Sequence, residues 1–194
     1  MKISKIALLL SIVMVFMLAF SSCGEEKGTE GLDFYPLPDG TYGVKAGTAL
    51  YLDKIVIPAE YNGKPVTQIL PNAFDNATNL AEIVIPNSIT SIGNSAFSNC
   101  DSLTSVVIPD SVTSIGSGAF SNCDSLTSIV IPDSVTSIGW SAFFNCSSLT
   151  SIEFKDPNGW YCSSYSISSS DLANTSTAAQ YLTSTYCYYT WTKK

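Results

Sequence analysis

The chain has 194 residues, 45% of them hydrophobic, with nine lysines against sixteen acids and no histidine, a formal charge of −7. That length suffices for one well-cored domain. No Lys or Arg lies between Lys64 and Lys155, which argues against a surface that tracks nucleic-acid phosphates or sulfated polysaccharides, because both need clustered cations.

The first residues, MKISKIALLLSIVMVFMLAFSSC, set Lys2 and Lys5 before an apolar run from Ile6 to Phe20 and then small residues and a cysteine. A run this short with a small-residue ending reads as an export signal rather than a membrane span. Its Ser21-Ser22-Cys23 ending resembles a bacterial lipoprotein signal, in which Cys23 becomes the lipidated first residue; the alternative is ordinary secretion with Cys23 incidental. Lipidation would tether the chain to a membrane without crossing it. Removal of residues 1–22 would leave seven lysines, a formal −9. Residues 23–32, rich in Gly and charge, read as a flexible tether.

Residues 33–50 hold two short β-prone runs around Pro38-Asp39-Gly40, a hairpin that would cap the first open coil. From residue 51 to 155 the chain repeats itself. LTSVVIPDSVTSIGSGAFSNCDS, beginning at Leu103, is followed from Leu126 by LTSIVIPDSVTSIGWSAFFNCSS. The register extends back through Leu80, Ile83, Phe97 and Cys100, and more loosely to Ile55, Ile69 and Phe74. A fixed period of 23 residues means a β-rich solenoid. Each coil would run as a strand, a turn, a second short extended segment and a short helical turn.

Alternation places Leu103, Val106 and Ile108 inside and Ser105 and Val107 outside. Proline then ends the strand. Val112 and Ile115 enter the core, Gly116 permits a bend, and Ala119, Phe120 and Cys123 close the coil. Between Pro58 and Pro86 the period lengthens to 28, so AEYNGKP is expected to bulge as a loop. Residues 156–194 form a C-terminal cap. Within it Thr177 and Gln180 fit a capping box ahead of a short helix, and Tyr186, Tyr188, Tyr189 and Trp191 supply apolar area.

The pattern L-x-x-[IV]-x-IP-x-x-[IV]-x-x-IG-x-x-AF-x-x-C over Leu80–Ser148, with its flanks, resembles the BspA-like leucine-rich-repeat family of bacterial surface proteins. The resemblance implies a leucine-rich-repeat fold and an adhesion or interaction role at the cell surface or outer membrane. The implied partner is a host extracellular-matrix protein or another cell-surface protein, with the membrane touched only through the lipid. It supplies no fixed ligand residues.

Three surfaces are candidates for binding. The first is the outward face of the strand ladder, where Glu82, Ser105, Ser128 and Ser151 align beside Val84, Val107, Val130 and Glu153; such a face suits a protein partner, and it equally suits plain sheet chemistry in a passive structural spacer. The second is the pair Trp140 and Phe144, which replace Ser117 and Ser121 of the preceding coil and either pack beneath the cap or form a patch. The third is the aromatic tail with Trp160 and Trp191, either cap filler or a platform for sugars.

Cys100, Cys123 and Cys146 recur with the period and read as buried apolar groups, while Cys162 and Cys187 could be bridged or free. Recurring Asp101, Asp110, Asp124 and Asp133 read as turn residues ahead of calcium ligands. With no His, no glycine-rich phosphate loop and no convergent acids, neither a catalytic residue nor a metal ligand nor a cofactor is expected.

Overall fold

The computed structural model describes residues 28–163 and 165–194. The lipoprotein signal and Cys23 lie outside them. Tether character does not persist to residue 32, because Thr29 exchanges hydrogen bonds with Val56, N to O at 2.9 Å and back to Oγ1 at 2.7 Å, and Leu32 is buried.

Strand β1 (Asp33–Pro36) pairs antiparallel with β2 (Tyr42–Lys45) across the expected turn. Gly40 takes φ +86°, and Asp39 accepts from both the amide and the hydroxyl of Thr41, which holds its carboxyl below the usual carboxylate range. A 3-10 turn over Gly47–Tyr51 leads into β3 (Lys54–Val56). The insertion that follows is a hairpin and not a loose bulge: β4 (Glu60–Tyr61) pairs antiparallel with the start of β5 (Lys64–Ile69). Asn62 and Gly63 both adopt positive φ, the requirement of a tight two-residue hairpin turn, and Tyr61 returns to stack on Phe34 at 4.1 Å.

The coils then stack in parallel through β6 (Glu82–Val84), β7 (Ser91–Ile92), β8 (Ser114–Ile115), β9 (Ser128–Ile131), β10 (Ser137–Ile138) and β11 (Ser151–Phe154), making a β-solenoid of about five turns. The long sheet is built on the second extended segment of each coil. It runs β2-β5-β7-β8-β10, and its register sets Ser91, Ser114 and Ser137 in one row and Ile69, Ile92, Ile115 and Ile138 in the next. The first extended segment pairs only in two separate places, β3 with β6 and β9 with β11, and residues 103–109 form no strand.

Glycine spacing gives a physical reason. The long sheet continues into Gly93, Gly116 and Gly139, whose amides reach Ile69, Ile92 and Ile115 at 2.8 Å. On the other ladder the approaches are uneven, Thr127 to Thr104 at 3.5 Å and Thr150 to Thr127 at 3.1 Å. These glycines do not serve a bend, as the sequence suggested for Gly116, since none has positive φ. A Cβ on Gly116 would lie 2.5 Å from the Asn94 amide nitrogen and from the Gly93 carbonyl carbon, so what the position needs is the closeness of two backbones.

The third side of each coil is a run of i→i+3 turns whose amides bond forward to the next coil, as Phe74 to Ala96, Phe97 to Ala119 and Phe120 to Ala142, at 2.7 to 2.8 Å. Asn76, Asn99, Asn122 and Asn145 occupy the left-handed region there (φ 57° to 62°), a conformation their side chains tolerate. Their amides form a ladder, Asn145 donating to Asn122 at 3.0 Å and Asn122 to Asn99 at 2.8 Å. Inside, Phe74, Phe97, Phe120 and Phe143 stack at 5.2 to 5.4 Å with planes within 10° of parallel, all fully buried.

The C-terminal cap closes the stack. After β12 (Trp160–Cys162) and β13 (Tyr165–Ser166) come helices α1 (Ser169–Ala173) and α2 (Thr175–Gln180), then a single π-turn over Tyr181–Thr185 and β14 (Trp191–Lys193). The cap of α2 is Asn174, whose Oδ1 accepts from the Thr177 amide at 3.1 Å. Thr177 thus lies inside the helix and not at its cap: the Asn side chain three residues earlier satisfies a free amide and starts the helix sooner. Strand β14 runs antiparallel to β10 and covers the last edge of the long sheet.

Candidate functional site

The alternation read for the first extended segment holds: Leu103, Val106 and Ile108 are buried while Ser105 and Val107 are exposed. Val107 is 59% exposed, the outermost aliphatic side chain of its column. β9 and β11 set Ser128 beside Ser151 and Val130 beside Glu153, and β3 and β6 set Lys54 beside Glu82 and Val56 beside Val84. Val84, Val130, Ser128 and Ser151 are half-buried, and Glu82 pairs with Lys54 at 2.8 Å. The column therefore begins one coil earlier than the sequence indicated, at Lys54 and Val56, where the insertion had obscured the repeat.

A second relief lies on the long sheet. A shallow groove of about 390 Å³ crosses the row Gln68, Ser91, Ser114 and Ser137, with Asn94 and Ser117 beside it and the glycine backbones between them. None of its lining side chains is charged. Sequence reasoning missed it. The signal is the Ser-Ile-Gly common to the three coils, whose isoleucine faces the core and whose serine faces out.

Trp140 is 53% exposed, and the cap leans on it without covering it: the Tyr188 ring lies 6.2 Å from Trp140 and 5.4 Å from Phe144. Trp160 and Trp191, the candidate sugar platforms of the tail, are buried at 1% and 0% exposure around Phe154, so no ring of a ligand can reach their faces. Their indole nitrogens donate to the Asp156 and Tyr186 carbonyls, which is how a buried tryptophan is satisfied. Tyr165, Tyr188 and Tyr189 are the exposed aromatics of the cap.

Cys100, Cys123 and Cys146 are buried and donate to the carbonyls of Phe74, Phe97 and Phe120 at 3.2, 3.1 and 2.9 Å. The thiol one coil back, then burial, pushes Cys123 and Cys146 well above the ordinary thiol range. Cys162 and Cys187 are free thiols raised by burial. Asp110 binds Lys155 at 2.6 Å and Asp124 accepts from Ser147 at 3.0 Å. Among the described residues no group of three or more His, Cys, Asp or Glu could hold a metal ion, and no helix among them is long and apolar enough to cross a membrane.

Stacked coils with side-chain columns on every face, closed by a hairpin at one end and by helices and strands at the other, define a repeat-solenoid scaffold. The BspA type leucine rich repeat model matches residues 67–191 in six copies, and the chain belongs to that family. Several solved structures are similar to it, among them the following three. The T. pallidum leucine rich repeat protein TpLRR is 28% identical over 66% of this chain and 71% of its own, with a TM-score of 0.56. A leucine-rich repeat protein from Bacteroides capillosus ATCC 29799 is 28% identical over 67% of this chain and 99% of its own, with a TM-score of 0.55. The pneumococcal vaccine antigen PcpA matches 65% of this chain with 31% of its own at 18% identity and a TM-score of 0.55, a likeness of fold alone. A search of curated proteins returned no match.

Proposed function

We propose that this chain is a non-catalytic binding scaffold of the bacterial cell envelope, exported, anchored through a lipid on Cys23, displayed at the surface and engaging a protein partner through the column of Val84, Val107 and Val130. Leucine-rich-repeat proteins generally mediate protein–protein interactions, and an extended solenoid face offers a partner many small contacts at once. The observation that carries the reading is Val107, an aliphatic side chain at 59% exposure with Ser105 exposed beside it and half-buried valines in the coils before and after. Its side chain does little for the core, and covering it would remove apolar area from water, worth about 25 cal/mol per Å².

The partner class is a matrix or cell-surface protein. Val107→Lys with Val130→Lys should abolish capture of immobilised matrix proteins while leaving the far-UV circular dichroism unchanged. Capture that survives both substitutions refutes the assignment of the face. Protease treatment of intact cells should cleave the protein, and Cys23→Ser should release it from the membrane fraction; full protection, or retention of the variant, refutes display or anchoring in turn.

A further inference from the structure

Of the two breaks in the repeat that meet the cap, Phe144 and Trp140, Trp140 is left more than half exposed. Pro71, Asn94 and Ser117 each follow the segment that lays down the long sheet, and all three line the groove. The next position of that column, 23 residues after Ser117, is Trp140. Its neighbour Gly139 lines the groove, as does Thr190 from the cap. At this end of the groove the chain passes from Gly139, which lines it, to Trp140, whose side chain is half open to solvent with the Tyr188 ring 6.2 Å away.

The chemistry of the trough limits its ligand. Ser91, Ser114, Ser137, Asn94 and Gln68 can each both donate and accept hydrogen bonds, and none carries charge. Sugar hydroxyls have the same double character, and the C–H face of a pyranose is apolar enough to lie on an indole. Cations are missing from the lining, so an anionic glycan would find no counter-charge there. At the strand spacing of about 4.8 Å, the four coils from Gln68 to Ser137 make a row of roughly 14 Å, room for a short run of sugar units laid along the stack. The volume falls at the lower end of the range typical of small-ligand sites, about 300 to 1,000 Å³.

We propose that this groove is a subsite for a neutral oligosaccharide, with Trp140 stacking on one ring and the Ser91-Ser114-Ser137 row meeting the hydroxyls of its neighbours. The site is separate from the Val107 column on the first ladder, so it stands or falls independently of the protein-binding reading. A peptide laid in the same trough is the competing occupant, disfavoured because the row belongs to the face of the sheet and not to a free edge that could pair with a strand.

Trp140 makes the test specific, since Trp160 and Trp191 are shut inside the cap. The full chain would be titrated with cellohexaose, xylohexaose, mannohexaose and maltohexaose, with heparin as the anionic control; isothermal titration calorimetry would read binding in every variant, and tryptophan emission with its quenching by acrylamide would read the state of Trp140. At least one neutral hexasaccharide should protect Trp140 in a saturable manner and heparin should not. Trp140→Ser, which installs the residue of the preceding coil, should weaken that binding at least tenfold without loss of fold. Ser114→Leu, which fills the trough but leaves Trp140 in place, should weaken it as much. Four neutral sugars without effect at millimolar concentration overturn the proposal. So does binding unchanged in either variant, binding equal to heparin, or loss of protein capture on Trp140→Ser.

Discussion

Replacing glycine by alanine normally stabilises a protein by about 0.4 to 1 kcal/mol where the backbone permits it, because the unfolded chain loses freedom. Gly116→Ala should do the reverse. Its Cβ would stand 2.5 Å from two backbone atoms of the preceding coil, against an ordinary contact of at least 3.4 Å. Relief requires the coils to part by about 0.9 Å, the difference between those two distances. That would stretch the Gly116-to-Ile92 bond from 2.8 Å to about 3.7 Å, beyond useful range. Losing that bond and weakening its neighbour costs about 1 to 3 kcal/mol at 0.5 to 1.5 each, and residual overpacking adds about 1 kcal/mol or more. Less the entropic gain, the net is roughly 1 to 3.5 kcal/mol, or a midpoint lower by about 2 to 14 °C for a chain of this size.

Gly118→Ala supplies the control. It sits at φ +61° with its nearest contact, Ser95 Oγ, at 3.4 Å, and the same column already holds Ser95 and Ser141 at φ 52° and 54°. Left-handed strain of about 1 to 2 kcal/mol is there offset in part by the same entropic gain, leaving a cost of about 0 to 1.6 kcal/mol. Thermal and urea unfolding followed by circular dichroism would measure both. A neutral or stabilising Gly116→Ala, or a Gly118→Ala that costs more, would refute the account of how the coils are spaced.

Phe120→Ala should destabilise by about 3 to 5 kcal/mol, since it empties the centre of a fully buried aromatic stack; denaturant titration would check it, and a loss below about 1 kcal/mol would show that the stack collapses to fill the gap. Asp156, paired with Lys193 at 2.6 Å, has its carboxyl held at about 2, first by the Lys193 hydrogen bond and then by Asn158. Because its folded value lies below its unfolded one, its contribution is present above about pH 4 and disappears as pH falls towards 2; Asp156→Asn should flatten that part of the acid-unfolding profile. The thiols of Cys100, Cys123 and Cys146, buried and tied to carbonyls, should resist maleimide in the native state and react after unfolding, followed by mass shift.

The sequence made the stack legible because its side chains are set by a period. Leu103, Val106, Ile108, Phe120 and Cys123 recur every 23 residues, and a core that recurs can be built only by laying coils over one another. What it did not make legible is decided between coils. Whether Ser-Ile-Gly or the segment before the proline carries the continuous sheet depends on how closely two backbones approach, and a glycine letter looks the same whether it frees φ or removes a Cβ. Asn62-Gly63 was hidden in an insertion read only as extra length, and Asn174 was passed over for a Thr-Gln pair that matched a capping pattern. Trp140 and Trp191 are one residue type with opposite fates, because β14 seals Trp191 against Phe154 while Tyr188 reaches only one side of Trp140.

In the Asn99-Asn122-Asn145 ladder each Nδ2 donates to the Oδ1 one coil back, so each unit gives to its predecessor what it receives from its successor. A duplicated gene segment of one period could therefore slip into the middle of the stack and find both its neighbours already matched. Such a protein can change its reach in increments, by unequal recombination, while its two ends keep the partners they were fitted to.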